Sequence, residues 1–284
     1  MTPNRNWKSR LVGPLRDRLT KVRMARPYRV EVVAEARRFE GAIAVVTGAS
    51  GTIGRAIALR LAAEGAEVFA VGRDLDRLNS VLAEIRAFGG VGHATVVDLA
   101  QDDQIKSFFD GLNRVDILVN CAGGSARDSH GPIWSQTMAV VDSVLASNLR
   151  AAIGCTMAAS AKMIEQRSGR IVNVGSVLGA HGKANFADYG ASKAGLVGYT
   201  KSAAIELGRH GVTINTVSPG IVQRGEPTLR QLDRVGATNV LDRPGTAEDI
   251  AEAVAFFASS AADFITGQDL AVDGGRSLGL RGDA

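Results

Sequence analysis

Apolar residues in this chain recur with two different periods, and the periods alternate. Short apolar runs occupy Ile43–Thr47, Glu67–Gly72, residues 93–97, 115–120, 171–175 and 212–217, and Asp269–Val272. Runs of that length with little polar alternation read as strands buried on both faces. Between them the apolar positions fall three and four apart, the period of a helix. The spacing predicts helices over 53–64, over 74–88 with Leu75, Leu78, Leu82 and Ile85 on one face, over 139–166, over 187–209 and over Ala247–Ala258. Seven strands separated by helices predict an α/β fold. It is a doubly wound parallel seven-stranded sheet in one domain, with right-handed crossovers placing helices on both faces.

Residues 1–38 stand outside that alternation. Leu11, Leu15, Leu19 and Val22 lie at helical spacing around Pro14, with Arg and Lys among them. The segment reads as a basic N-terminal extension, disordered or packed on another subunit, ahead of a domain over 39–284. The charge is concentrated there. Residues 1–40 carry 11 of the 33 Lys and Arg and four of the 29 Asp and Glu, so a chain of net +4 has a body of net −3. A nucleic-acid-binding body carries its own basic face, so nucleic acid is not an expected partner. No run of about 18 apolar residues predicts a membrane span, and the first residues lack the apolar core of a secretory signal. The two cysteines, Cys121 and Cys155, have neither disulfide nor zinc-site spacing. The expectation is a cytoplasmic protein with no metal site.

The candidate chemistry begins between the first strand and the first helix, at Thr47-Gly48-Ala49-Ser50-Gly51-Thr52-Ile53-Gly54. Gly48 and Gly51 let backbone amides approach a pyrophosphate, and Gly54 lets the helix pack on the strand, as in a dinucleotide-binding turn. The second strand ends in Gly72-Arg73-Asp74. A carboxylate at the strand end accepts both ribose hydroxyls of NAD; Gly72 and Arg73 instead suit a 2′-phosphate, which favours NADP(H) over NAD(H). Asp98-Leu99, after the third strand, is placed to meet the adenine amino group.

Further motifs follow in order: Asn120-Cys121-Ala122-Gly123, Asn148, Ser176, Tyr189-Gly190-Ala191-Ser192-Lys193 and Pro219-Gly220. With the Thr47–Gly54 turn, this ordered set resembles the short-chain dehydrogenase/reductase family in its single-domain, Rossmann-fold branch. The resemblance runs from Phe39 to Gly275 and is greatest to 3-oxoacyl-carrier-protein reductases. It implies hydride transfer between a nicotinamide cofactor and a carbonyl or secondary alcohol. Tyr189 and Lys193 lie one helical turn apart on one face. A phenol of ordinary pKa about 10 becomes a usable acid or base beside an ammonium. In the family pattern Ser176 binds the substrate oxygen and Lys193 also holds the nicotinamide ribose. Asn148 supports a helix kink and a proton-relay water, and Asn120, Ala122, Gly123, Pro219, Gly220 and Val222 line the cofactor.

The resemblance also implies a homotetramer built on the two long helices, and an acyl carrier protein as a possible partner met by Arg167 and Arg209. Sugar, polyol and cyclic-alcohol dehydrogenases share the motifs, and a non-catalytic NADP-sensing regulator is the remaining alternative. Three positions depart from the pattern. Thr52 stands where the branch usually has its second glycine, Cys121 where a second asparagine is common, and Ile221-Val222-Gln223-Arg224 where a threonine often contacts the carboxamide. In the substrate-covering segment 223–242, Arg224, Glu226, Arg230 and Arg234 are candidates to meet a polar substrate.

Overall fold

The computed structural model describes residues 37–124, 131–225 and 238–278. The expected leader helix around Leu11–Val22, and Glu226, Arg230 and Arg234, lie outside the described residues. The strands are β1 (Ile43–Thr47), β2 (Glu67–Gly72), β3 (Val91–Val96), β4 (Ile117–Asn120), β5 (Gly169–Val174), β6 (Val212–Pro219) and β7 (Asp269–Val272). They form one sheet in the order β3-β2-β1-β4-β5-β6-β7, and every neighbouring pair is parallel. The chain moves outward from β1 to β3 and then returns to pair β4 with β1. The order therefore reverses at the β1/β4 boundary, where open α/β sheets bind ligands beyond their strand C-termini.

Side chains alternate across the sheet as a strand requires. Val45, Val71, Leu118, Ile171 and Ile214 enter one core, packed by helices α3 (Asp102–Asp110), α4 (Met138–Gln166) and α6 (Ala187–Gly208). Val46, Val68, Ala70, Val119, Val172 and Val217 enter the other, packed by α1 (Thr52–Ala63), α2 (Leu75–Ala87) and α7 (Ala247–Ala258). A four-residue helix α5 (Leu178–His181) lies between β5 and α6.

Local chemistry sets the helix ends. Asp74 caps α2 by accepting from the Arg77 N–H, and Thr246 and Asp249 form a reciprocal capping box on α7. Leu75 departs from its expected face: as the first residue of α2 it is 49% exposed, and Val81 joins Leu78, Leu82 and Ile85 in the core instead. Strand limits shift by two residues or fewer, and β6 runs on through Pro219. There the amide of Gly220 continues the pairing by donating to the Val272 carbonyl. The long helix α4 is interrupted over Ala146–Arg150 by one wider π turn, a form that recurs where a side chain is put to use.

Candidate active site

The functional candidates gather at the C-terminal edge of the sheet. Thr47, the last residue of β1, joins two of them. Its hydroxyl donates to the Val119 carbonyl and accepts from the amides of Cys121 and Ala122. The loop after β4 is thereby fixed against the Gly48 turn so closely that a Cβ on Gly48 would lie 2.8 Å from Ala122 Cα. Gly54 is equally confined, since its Cβ would lie 2.2 Å from the Gly48 carbonyl oxygen. Helix α1 then starts from Gly51 with no side-chain cap and no acidic residue in its first turn. Its leading amides around Thr52 and Ile53 have no side-chain acceptor, which suits the negative charge of a pyrophosphate.

At the end of β2, Arg73 is exposed and makes no hydrogen bond or ion pair among the described residues. The neighbouring carboxylate is committed to structure, since Asp74 Oδ1 accepts from the Arg77 amide at 3.1 Å. Arg77, which the sequence reading passed over, reaches from α2 to donate to the Ser50 carbonyl at 2.8 Å. Its spacing of four from Arg73 was the available signal. Asp98 Oδ1 accepts from the Ala100 amide, and Leu99 packs on the α3/α4/α6 core.

Asn120 directs its side chain inward. Its Nδ2 donates to Asn173 Oδ1 at 2.9 Å and to Thr156 Oγ1 at 3.0 Å, tying β4 to β5 and α4. The clamp on the following loop comes from Asn148 in the π turn. Its Nδ2 donates to the carbonyls of Gly124 and Val144, and its Oδ1 accepts from the Gly124 amide. Gly123, at φ 129°, passes so near that a Cβ would sit 2.3 Å from Asn148 Oδ1.

Ser176 follows β5 by two residues, and its hydroxyl accepts from the Leu178 amide at 3.2 Å. The segment it begins packs on α6: a Cβ on Gly179 would come within 2.9 Å of the backbone of Lys193 and Ala194. Ser176 therefore shares one corner with Tyr189 and Lys193. Tyr189 is half-buried, and Lys193 Nζ lies 5.8 Å from its ring centroid. The ammonium is 5% exposed and donates to the Val174 carbonyl at 2.8 Å, an anchor that the sequence did not disclose. Burial pulls its pKa down to about 8. Burial pushes both Cys121 and Cys155 up to about 12, which leaves neutral, unreactive thiols.

The far wall is formed by Pro219, Gly220 and Val222. Val222 bridges to Gly245, but the bonds used are Gln223 N–H to Gly245 O and Gly245 N–H to Ile221 O. The amide and carbonyl of Val222 itself face the other way. This edge combines an uncapped helix N-terminus, a held backbone loop and a buried ammonium one turn from a phenol. It can seat a dinucleotide and move a proton at a substrate oxygen.

Residues 48–277 match the family model described as Enoyl-(Acyl carrier protein) reductase. The 3-oxoacyl-[acyl-carrier-protein] reductase of Synechocystis sp. is 38% identical over 239 residues, spanning 82% of this chain and 96% of that protein. The 3-oxoacyl-[acyl-carrier-protein] reductase FabG of Staphylococcus aureus (strain Mu50) is 39% identical over 240 residues, with the same coverage. Among solved structures, a protein assigned as a gluconate dehydrogenase from Agrobacterium tumefaciens superposes with TM-score 0.81 at 30% identity, covering 86% of this chain and 99% of its own. With these motifs at the edge of such a sheet, and relatives matched along nearly their whole length, the chain belongs to the short-chain dehydrogenase/reductase family and is an oxidoreductase.

Proposed function

We propose that this chain reduces the ketone of a 3-oxoacyl thioester, using NADPH and the residues Ser176, Tyr189 and Lys193. The observation that carries the reading is the buried Lys193 ammonium, pinned to the Val174 carbonyl one turn from Tyr189. A bound nicotinamide supplies the hydride. Ser176 and Tyr189 donate to the carbonyl oxygen, and Tyr189 releases its phenolic proton to that oxygen as negative charge develops. Lys193 stabilises the phenolate left behind. Two donors on one oxygen suit a polarised C=O. The names of the curated relatives support that reaction over the enoyl reduction in the family description.

The cofactor reading rests on Gly72 and Arg73, with Asp74 occupied as a cap. The amides of Thr52, Ile53 and Gly54 face the pyrophosphate, and the backbones of Ala122, Gly123 and Val222 line the nicotinamide side. The catalytic unit is residues 39–284, placed in the cytoplasm, with 1–38 dispensable for chemistry. Exposed Met138 and Met157 on α4 and Ile205 on α6 support assembly of copies through these helices, as a homotetramer. Arg167 and Arg209 end α4 and α6 ahead of β5 and β6, at the sheet edge opposite Ser176. An acidic carrier docked on them serves a site in a neighbouring copy, so the carrier reading requires assembly.

A panel of 3-oxoacyl thioesters, keto-sugar acids and cyclic ketones, followed by NADPH absorbance, tests the substrate. The gluconate dehydrogenase neighbour makes sugar acids the second class. Tyr189→Phe retains cofactor binding and loses about 10²–10⁴ in turnover. Near-normal turnover in that variant removes Tyr189 as the acid, and no turnover of any substrate by the unaltered protein leaves the regulator reading standing.

A further inference from the structure

Arg77 stands in the first turn of α2 with its side chain exposed, yet it is held in place. The 2.8 Å bond from Nη2 to the Ser50 carbonyl fixes the guanidinium against the phosphate turn. Gly72 forms the adjoining wall, because a Cβ there would lie 3.5 Å from Ser50 Oγ. Ser50, Gly72, Arg73 and Arg77 thus surround one corner at the C-terminal ends of β1 and β2. In this fold that corner receives the adenosine ribose of a dinucleotide.

The corner holds two guanidinium groups. The Asp74 carboxylate is turned to the Arg77 amide, Asp76 follows it in the first turn of α2, and Arg55, the next cation along α1, is paired with Glu84. A guanidinium offers five N–H donors in a fixed fork, and the Ser50 carbonyl takes one. The other donors of Arg77 have no partner among the described residues. A phosphate monoester, with up to two negative charges and three acceptor oxygens, satisfies such a pair.

We propose that Arg77 is a second ligand for the 2′-phosphate of the adenine nucleotide, acting with Arg73 while its Ser50 bond braces the turn. Recognition of the phosphate then rests on a helix residue fixed before the ligand arrives, as well as on the exposed Arg73. The inference rests on the NADP(H) reading above, and the test separates the two.

Calorimetric binding of 2′,5′-ADP and 5′-AMP to the full-length protein reads the corner without turnover. The unaltered protein binds 2′,5′-ADP more tightly than 5′-AMP. Arg77→Ala weakens 2′,5′-ADP about 10- to 150-fold more than it weakens 5′-AMP, the range for a lost hydrogen bond to a charged group. Arg77→Gln, which removes the charge, gives the same selective loss. Equal weakening of both nucleotides by Arg77→Ala makes the residue a brace alone and overturns the proposal. Equal affinity of the unaltered protein for the two nucleotides overturns the NADP(H) reading itself, and the proposal falls with it.

Discussion

Lys193 has exchanged its water shell for one carbonyl, and its pKa of about 8 follows from that exchange. The unfolded chain keeps the ammonium to about 10.5. Between those values the unfolded state binds more protons, so this group makes stability rise with pH from about 8 to 10.5. Activity should move the other way. Above about pH 8 the amine turns neutral and no longer offsets phenolate charge on Tyr189, so kcat/KM for reduction should fall through that value. Lys193→Arg, which stays charged, should push the fall to higher pH in whatever activity it retains. A profile that stays flat to about pH 9.5 in the unaltered protein means that Lys193 does not titrate there.

The interrupted helix α4 shows how an element can carry a site. Its π turn brings Asn148 to both polar groups of Gly124, and no residue of that turn signals the widening by itself. Asn148→Ala removes its hydrogen bonds to Gly124 and Val144, a cost of about 1–3 kcal/mol, and at roughly 2–4 °C per kcal/mol for a chain of this size the melting temperature should drop measurably. Gly123→Ala should do similar harm from the opposite side, by driving a methyl group into Asn148 Oδ1 and straining φ; thermal melts of both variants, with turnover alongside, check this. The sequence was sufficient for β1, β2, β7 and α7, because their apolar runs stop at glycine, a charge or a cap. The placement of Tyr189 and Lys193 one turn apart on α6 was legible in the same way, because that spacing is local. The sequence was insufficient for the Val174 anchor, the inward turn of Asn120 and the reach of Arg77. Each of these depends on contacts 19 or more residues apart in the chain.

At the scale of the whole molecule the two edges of the sheet have separate duties. Opposite the site, Arg38 forms a bidentate pair with Glu64, which is only 2% exposed, and Arg60 joins Glu64 to Glu252. A chain beginning at Arg37 should therefore stay folded and active. Arg38→Ala leaves Glu64 with Arg60 alone and should lower unfolding stability by about 2 kcal/mol, below the full cost of orphaning a buried charge; denaturant titration of the two chains decides it. Light scattering across micromolar concentrations checks the tetramer, and a monomer throughout refutes it. One further consequence follows from α6, an unbroken rod of 22 residues. It grips β5 through Lys193 on its inner face and presents Ile205, 84% exposed, on its outer one. If a neighbouring copy seats that outer face, dilution loosens the same rod that carries Tyr189. Specific activity should then decline in nanomolar assays while each separated chain remains folded, and a chemical cross-linker applied before dilution should preserve it.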